Sequence, residues 1–133
     1  MNRIISIKEI FDVKFDKGYG KYDGYKVVTE KEKIKILIEN GQSCCENWGM
    51  LESQDDLDYF VGAELLDIEL TYDGINETIT KEIDDDDECS AQLITFKTDR
   101  GNFQLGVYNS HNGYYGHSFF ILRNDEVIEQ GGL

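Results

Sequence analysis

Two adjacent cysteines and two histidines are the residues of this chain best suited to covalent chemistry. Cys44 and Cys45 lie in a polar segment, where a thiolate could act as a nucleophile if His111 or His117 removed its proton. No signature of a cysteine-enzyme family surrounds them. Because buried cysteine packs as a small apolar group, a structural role is the favoured interpretation. No catalytic residue is predicted, and the protein is expected not to be an enzyme.

The same side chains, together with Cys89, are also potential metal ligands. Vicinal cysteines and a His-x5-His spacing match no common zinc module, in which C-x2-C pairs are usual. The acidic run Asp84–Glu88 is a potential calcium site, but it lacks the spacing and the central glycine of an EF-hand loop. The sequence therefore predicts no metal and no cofactor.

The segment from Asn109 to His117 contains the richest set of residues for binding a ligand. Glycine and asparagine permit tight turns, and tyrosine and histidine offer amphipathic contact surface. A ligand-binding loop and a plain hairpin connection both fit this pattern, and the hairpin connection is favoured. The candidate ligand residues are His111, Asn112, Tyr114, Tyr115 and His117.

The net charge of −14 is concentrated in the middle of the chain. Residues 1–41 carry nine basic and seven acidic side chains, and residues 91–133 carry three basic and four acidic ones. Residues 42–90 carry sixteen acidic side chains against one lysine. Displaying so many carboxylates together lowers stability by mutual repulsion, and solubility requires less charge. A binding role for the segment would explain that cost, while a solvated loop is the favoured interpretation of the run Asp84–Glu88 itself.

An acidic surface of this density disfavours direct binding to nucleic acid, because it repels phosphates. It favours a basic protein surface as the partner, such as a protein groove built for phosphates. Tyr59 and Trp48 are possible aromatic anchors. The candidate partner-binding residues are Asp55, Asp56, Asp58, Tyr59, Asp67, Glu69, Asp84, Asp85, Asp86, Asp87 and Glu88.

The elements that position these residues are predicted to be mostly strands. Length and composition indicate one domain over residues 1–133, of the α+β class, with a curved antiparallel sheet of about six strands and one or two short helices. The spacing of Ile4, Ile7 and Ile10 predicts a short helix over residues 4–12, and a helical turn is expected over 55–60. The remaining segments are predicted as a strand from Glu64 and hairpins over 25–39, 92–109 and 117–129.

The location expected for the protein is the cytoplasm. The N-terminal residues match neither a signal peptide nor a membrane span, and no apolar run is long enough to cross a bilayer. Three cysteines, two of them adjacent, do not form a secreted disulfide framework.

Four motifs together resemble a family of small uncharacterised proteins of bacteria and their phages. They are Ser-Cys-Cys-Glu at 43–46 ahead of Trp48, Phe-Val-Gly-Ala-Glu-Leu-Leu-Asp at 60–67, Ile-Thr-Phe-Lys-Thr-Asp-Arg-Gly at 94–101, and Asn-Gly-Tyr-Tyr-Gly-His at 112–117. The resemblance implies a β-rich fold and a phage-associated setting, and it transfers no catalytic residue. Small acidic phage proteins resemble inhibitors of host defence, including anti-CRISPR proteins, and this is the function expected from setting and charge. The alternative is a ligand sponge, or a Cys/His enzyme, that uses the 109–117 loop.

Overall fold

The computed structural model describes residues 1–14, 20–41, 47–53, 56–71, 89–110 and 117–133, with only the backbone of Asn47, Cys89, Ser90 and Ser110. Within these ranges there are nine strands and one 3-10 helix. The strands are β1 (Ile4–Val13), β2 (Tyr22–Thr29), β3 (Lys33–Glu39), β4 (Asn47–Glu52), β5 (Leu65–Thr71), β6 (Cys89–Thr98), β7 (Gly101–Ser110), β8 (Ser118–Arg123) and β9 (Glu126–Gly132). The 3-10 helix spans Leu57–Phe60.

The strands form two antiparallel sheets. One sheet has the order β1-β2-β3-β8-β9, and the other has the order β4-β7-β6-β5. The mostly-β prediction is confirmed, but the expected arrangement of about six strands in one sheet is wrong. Hydrophobic alternation identifies a strand without identifying the sheet to which it belongs. The short strand β4, in a segment without clear alternation, escapes sequence analysis altogether.

The inner faces of the two sheets pack against each other around an aromatic centre. Phe96 and Phe103 lie on adjacent strands with their rings stacked at a centroid distance of 4.8 Å. The 3-10 helix adds Phe60, whose ring lies 4.6 Å from that of Phe103. The other buried members of this core are Ile4, Tyr25, Val27, Ile34, Ile36, Ile38, Leu65, Ile94, Leu105, Val107, Phe119, Ile121 and Leu133.

A polar contact also joins the two sheets. Tyr25 of β2 donates a hydrogen bond from its hydroxyl to the Glu52 carboxylate of β4 at 3.4 Å. Burial, reinforced by the negative charges of Glu52 and Glu9, raises the pKa of the Tyr25 phenol far above its ordinary value. The phenol is therefore a neutral hydrogen-bond donor throughout the physiological pH range.

The hairpins predicted from turn residues are confirmed. The β2–β3 turn is closed by the Thr29 hydroxyl, which accepts hydrogen bonds from the amides of Lys31 and Glu32. The β8–β9 turn consists of Asn124 and Asp125, which both have positive φ as a type I′ turn requires. The helical turn expected over 55–60 is also present, as the 3-10 helix.

The helix predicted over residues 4–12 is wrong, because this segment is the edge strand β1. Its pairing with β2 shifts register between Ile4 and Ser6, where Ile5 is an extra residue with no cross-strand partner. Such a β-bulge adds one residue to the two-residue period of a strand. Ile4 and Ile7 therefore face the same core at a spacing of three, which imitates a helix.

The outer face of the five-stranded sheet contains a second group of buried apolar side chains. Leu37 of β3 is fully buried there, although its neighbours Ile36 and Ile38 point into the main core. The members of this group are Tyr22, Leu37, Phe120 and Leu122. Burial on both faces explains the continuous apolar runs of β3 and β8.

Replacing Phe103 tests the aromatic centre of the core. Phe103→Ala removes a fully buried ring that contacts both Phe60 and Phe96, so we expect it to lower the free energy of unfolding by about 3–5 kcal/mol. Phe11→Ala is the matched control, because Phe11 is 58% exposed and its loss is expected to change stability by less than about 0.5 kcal/mol. Urea denaturation measures both values, and equal losses would contradict this description of the core.

Candidate protein-binding surface

Main-chain hydrogen bonds join the two sheets at one edge of the molecule. The Ile4 amide donates to the Ala63 carbonyl, and the Gly62 amide donates to the Ile4 carbonyl, both at 2.8 Å. The Leu65 amide donates to the Asn2 carbonyl at 2.8 Å. Residues 2–4 thus pair with residues 62–65, which follow the 3-10 helix and end at the first residue of β5. We refer to this junction as the seam.

Two β-bulges lie beside the seam and turn apolar side chains outward. Ile5 is the extra residue of the first bulge and is 57% exposed. Leu66 is the extra residue of the second, because Leu65 pairs with Thr98 and Asp67 pairs with Lys97. Its side chain is 62% exposed. Bulges re-aim side chains at sheet edges, which explains why both residues escape the core while the residues before them are buried.

Exposed apolar side chains are concentrated at this edge. The described residues contain six large exposed hydrophobic side chains. Four of them lie next to the seam or in the adjoining 3-10 helix, namely Met1, Ile5, Tyr59 and Leu66. The others are Phe11, further along β1, and Ile128 of β9. Single exposed apolar residues are normal on a protein surface, but four in one region indicate a surface for contact with another molecule.

Acidic side chains are exposed on the same elements. The Asp67 and Glu69 carboxylates are exposed on the outer face of β5, and Asp56 and Asp58 are exposed at the start of the 3-10 helix. Glu64 lies within the seam, where its backbone forms an antiparallel β-bridge with the backbone of Arg3. The seam surface, as we use the term, consists of Met1, Ile5, Tyr59 and Leu66 with the acids Asp56, Asp58, Glu64, Asp67 and Glu69.

Three basic side chains at the same edge hold the local structure together. Arg100 donates to the carbonyls of Tyr59 and Val61 at 2.9 and 3.1 Å, which fixes the 3-10 helix against the β6–β7 turn. Arg3 donates to the Gly62 carbonyl at 3.2 Å. Lys97 forms an ion pair with Glu69 at 3.1 Å. The seam surface is therefore acidic but not uniformly so, and its apolar residues matter as much as its charge.

Five residues of the predicted partner-binding set are described, and all of them are exposed. Asp56, Asp58 and Tyr59 lie at or in the 3-10 helix, and Asp67 and Glu69 lie on β5. Glu52, also from the acidic segment, is separate from them and contacts Tyr25 between the sheets. The predicted residues Asp55 and Asp84–Glu88 lie outside the described residues. Sequence analysis missed Ile5 and Leu66, although the doublets Ile4-Ile5 and Leu65-Leu66 interrupt the alternation expected of a strand.

The predicted ligand loop is described at its two ends only. His117 is 1% exposed, its ring lies 5.5 Å from that of Trp48, and its Nδ1 lies 2.6 Å from the Glu39 carbonyl oxygen. Because a carbonyl oxygen can only accept, Nδ1 is the donor in this contact. This is the environment of a packed structural histidine. The predicted residues His111, Asn112, Tyr114 and Tyr115, and Cys44 and Cys45, lie outside the described residues.

The described ranges contain no cluster of three or more potential metal ligands. In the same ranges, no helix is long and apolar enough to cross a membrane.

The chain belongs to a protein family described as "Domain of unknown function (DUF7448)", whose model matches residues 1–121. A search of curated proteins found no match. A search of solved structures likewise found none.

Paired substitutions at Leu65 and Leu66 test whether the bulge residue serves the fold. Leu65 is 5% exposed and packs in the core, so Leu65→Ala is expected to lower the free energy of unfolding by about 2–5 kcal/mol. Leu66→Ala should change it by less than about 0.5 kcal/mol, because Leu66 is mostly in solvent. Thermal denaturation of the two variants measures the difference. A large loss in Leu66→Ala would mean that this residue is structural, and the seam surface would lose its main apolar anchor.

Proposed function

We propose that this protein is an inhibitory binding protein that uses the seam surface to occupy a basic groove of a nucleic-acid-handling host protein. The observation that carries the proposal is the combination of bulge-presented apolar side chains and exposed carboxylates at one edge of the molecule. Apolar anchors surrounded by a polar rim are the general anatomy of protein interfaces. The carboxylates select a basic partner and speed its encounter.

The exposed fractions of the anchor residues support binding to a protein. Leu66 and Tyr59 are 62% and 56% exposed, so a partner that buried them would remove substantial apolar surface from water. A surface that only imitated the charge of nucleic acid would need no exposed leucine or isoleucine. The partner is therefore a protein groove that has both basic side chains and an apolar depression.

The position of β5 in its sheet indicates how a partner would make contact. Beyond the seam, β5 is the last strand of its sheet among the described residues. The Asp67 carboxylate accepts a hydrogen bond from the following Ile68 amide at 2.9 Å. This contact covers an edge amide and, together with the bulge, protects the strand from unspecific strand pairing. Recognition is consequently expected through side chains rather than through an added strand.

The particular class of partner follows from the sequence resemblance. Phage-associated acidic proteins of this size resemble inhibitors of host defence, and a guide-loaded CRISPR effector holds nucleic acid in a positively charged channel. We therefore propose anti-CRISPR-like inhibition in the host cytoplasm as the specific form of the function. Another basic host nuclease is the alternative target of the same surface.

Competition with DNA for a host effector tests the proposal. Purified Cas9-type effectors with guide RNA, and a set of host nucleases, are titrated with this protein, and binding of labelled duplex DNA is measured at low and high salt. We expect displacement of DNA from at least one of them, weakening as salt increases because the contact is electrostatic. Unaffected DNA binding in every one of these proteins would contradict the proposal.

A matched pair of charge reversals locates the surface. Asp58→Lys with Asp67→Lys alters the seam surface, and Glu126→Lys with Glu129→Lys makes the same change of net charge in the β8–β9 hairpin. Each pair contains one acid that accepts a hydrogen bond from the next amide, Asp67 in the first and Glu129 in the second. Only the seam pair is expected to lower the association rate, by at least about tenfold. Equal effects of the two pairs would show that net charge alone controls binding and that the seam surface is not the interface.

A further inference from the structure

Four lysines lie together on the outer face of the five-stranded sheet, although the chain as a whole is strongly acidic. Lys8 of β1 lies directly opposite Lys26 of β2, and Lys26 lies directly opposite Lys35 of β3. These three residues form the lysine row. Lys33, two residues before Lys35, lies on the same face.

Strand alternation directs the lysine row away from the core. Lys26 lies between Tyr25 and Val27, and Lys35 lies between Ile34 and Ile36, all of which point into the main core. Because successive side chains of a strand point to opposite faces, the lysines point outward. Neighbouring strands are about 5 Å apart, so the row brings three ammonium-bearing side chains within about 10 Å.

In the part of the chain that the structure describes, acidic side chains neutralise this charge only at one end of the row. Lys35 forms an ion pair with Asp125 at 3.4 Å. Among the described residues, no carboxylate forms an ion pair with Lys8 or Lys26. Like charges directly opposite each other on a sheet are destabilising, so the lysine row does not contribute to the stability of the sheet. A multivalent anion bound across the row would supply the missing counter-charge.

We propose that the lysine row binds a small, multiply charged phosphate compound. Lysine ammonium groups are compact, strongly hydrated point charges and common ligands of phosphate. A small phosphate compound contacts only the lysine row. A long nucleic acid would also come close to other parts of a chain with net charge −14, whose carboxylates repel phosphates. The site is distinct from the seam surface and does not depend on the function proposed for it.

Thermal denaturation with tripolyphosphate tests the site, with sodium chloride added to equalise ionic strength. Saturating tripolyphosphate is expected to raise the Tm of the full-length protein by at least about 3 °C. Lys26→Gln should abolish most of this rise and weaken binding, measured by calorimetry, at least about tenfold. Lys26→Arg should retain the rise because it retains the charge. Lys21→Gln is the matched control, because Lys21 is exposed and lies before β2, outside the row.

The same measurements separate a binding role from a structural one. Without tripolyphosphate, the Tm of Lys26→Gln at low salt should equal or exceed that of the wild type, because the substitution relieves repulsion within the row. Three results would each overturn the proposal. The first is a lower Tm of Lys26→Gln than of the wild type without tripolyphosphate. The others are an unchanged Tm of the wild type with tripolyphosphate, and a rise in the Tm of Lys26→Gln equal to that of the wild type.

Three further probes define the ligand chemistry. ATP should stabilise the wild type as tripolyphosphate does. Citrate, which carries a similar charge on carboxylates, should stabilise it less, and an equal effect of citrate would overturn selectivity for phosphate. A ten-nucleotide oligothymidylate should bind more weakly than tripolyphosphate. Tighter binding of the oligonucleotide would assign the row to nucleic acid and overturn the proposal of a small ligand.

Discussion

The main-chain pairing between residues 2–4 and 62–65 is the constraint from which the arrangement of this protein follows. Two sheets packed face to face have four edge strands, and every edge exposes unsatisfied backbone groups. Here the start of β1 and the start of β5 satisfy each other across the seam. The pairing also places the buried Ile4 opposite the buried Ala63. Ile4 and Leu65 also pair within their own sheets, with Thr29 and Thr98, and a β-bulge follows directly in each strand.

The sequence predicted the elements of this fold better than their assembly. The hairpins were predictable because their turns depend on local chemistry, such as Asn124 and Asp125 at positive φ. The assignment of strands to two sheets was not, because it depends on long-range packing of Phe60 against Phe96 and Phe103. The wrong helix over residues 4–12 has a specific cause: a bulge converts the strand period into a spacing that imitates a helix.

The candidate site was predictable in its charge and not in its apolar residues. Acidic side chains at Asp56, Asp58, Asp67 and Glu69 follow from composition, since isolated carboxylates remain at the surface. Exposure of Ile5 and Leu66 contradicts the usual expectation for such residues. Four apolar doublets coincide with bulges in edge strands, and in each doublet the second residue is exposed. They are Ile4-Ile5, Ile10-Phe11, Leu65-Leu66 and Val127-Ile128. The doublet Phe119-Phe120, on the central strand β8, is buried on both faces, so the pattern becomes informative only when the edge strands are known.

The distribution of charge between the two surfaces has a consequence for how a partner can approach. β1 belongs to both, since Ile5 lies on the seam surface and Lys8 begins the lysine row. The carboxylates of β5 and the ammonium groups of Lys8 and Lys26 lie on the outer faces of different sheets, so a basic groove would be attracted to one side of the molecule and repelled by the other. Attraction on one face and repulsion on the other together define orientation, because a wrongly oriented encounter juxtaposes like charges. The net charge of −14 therefore describes this protein poorly. Strand order and alternation separate an acidic edge from a basic face, so the two surfaces differ in the sign of their charge.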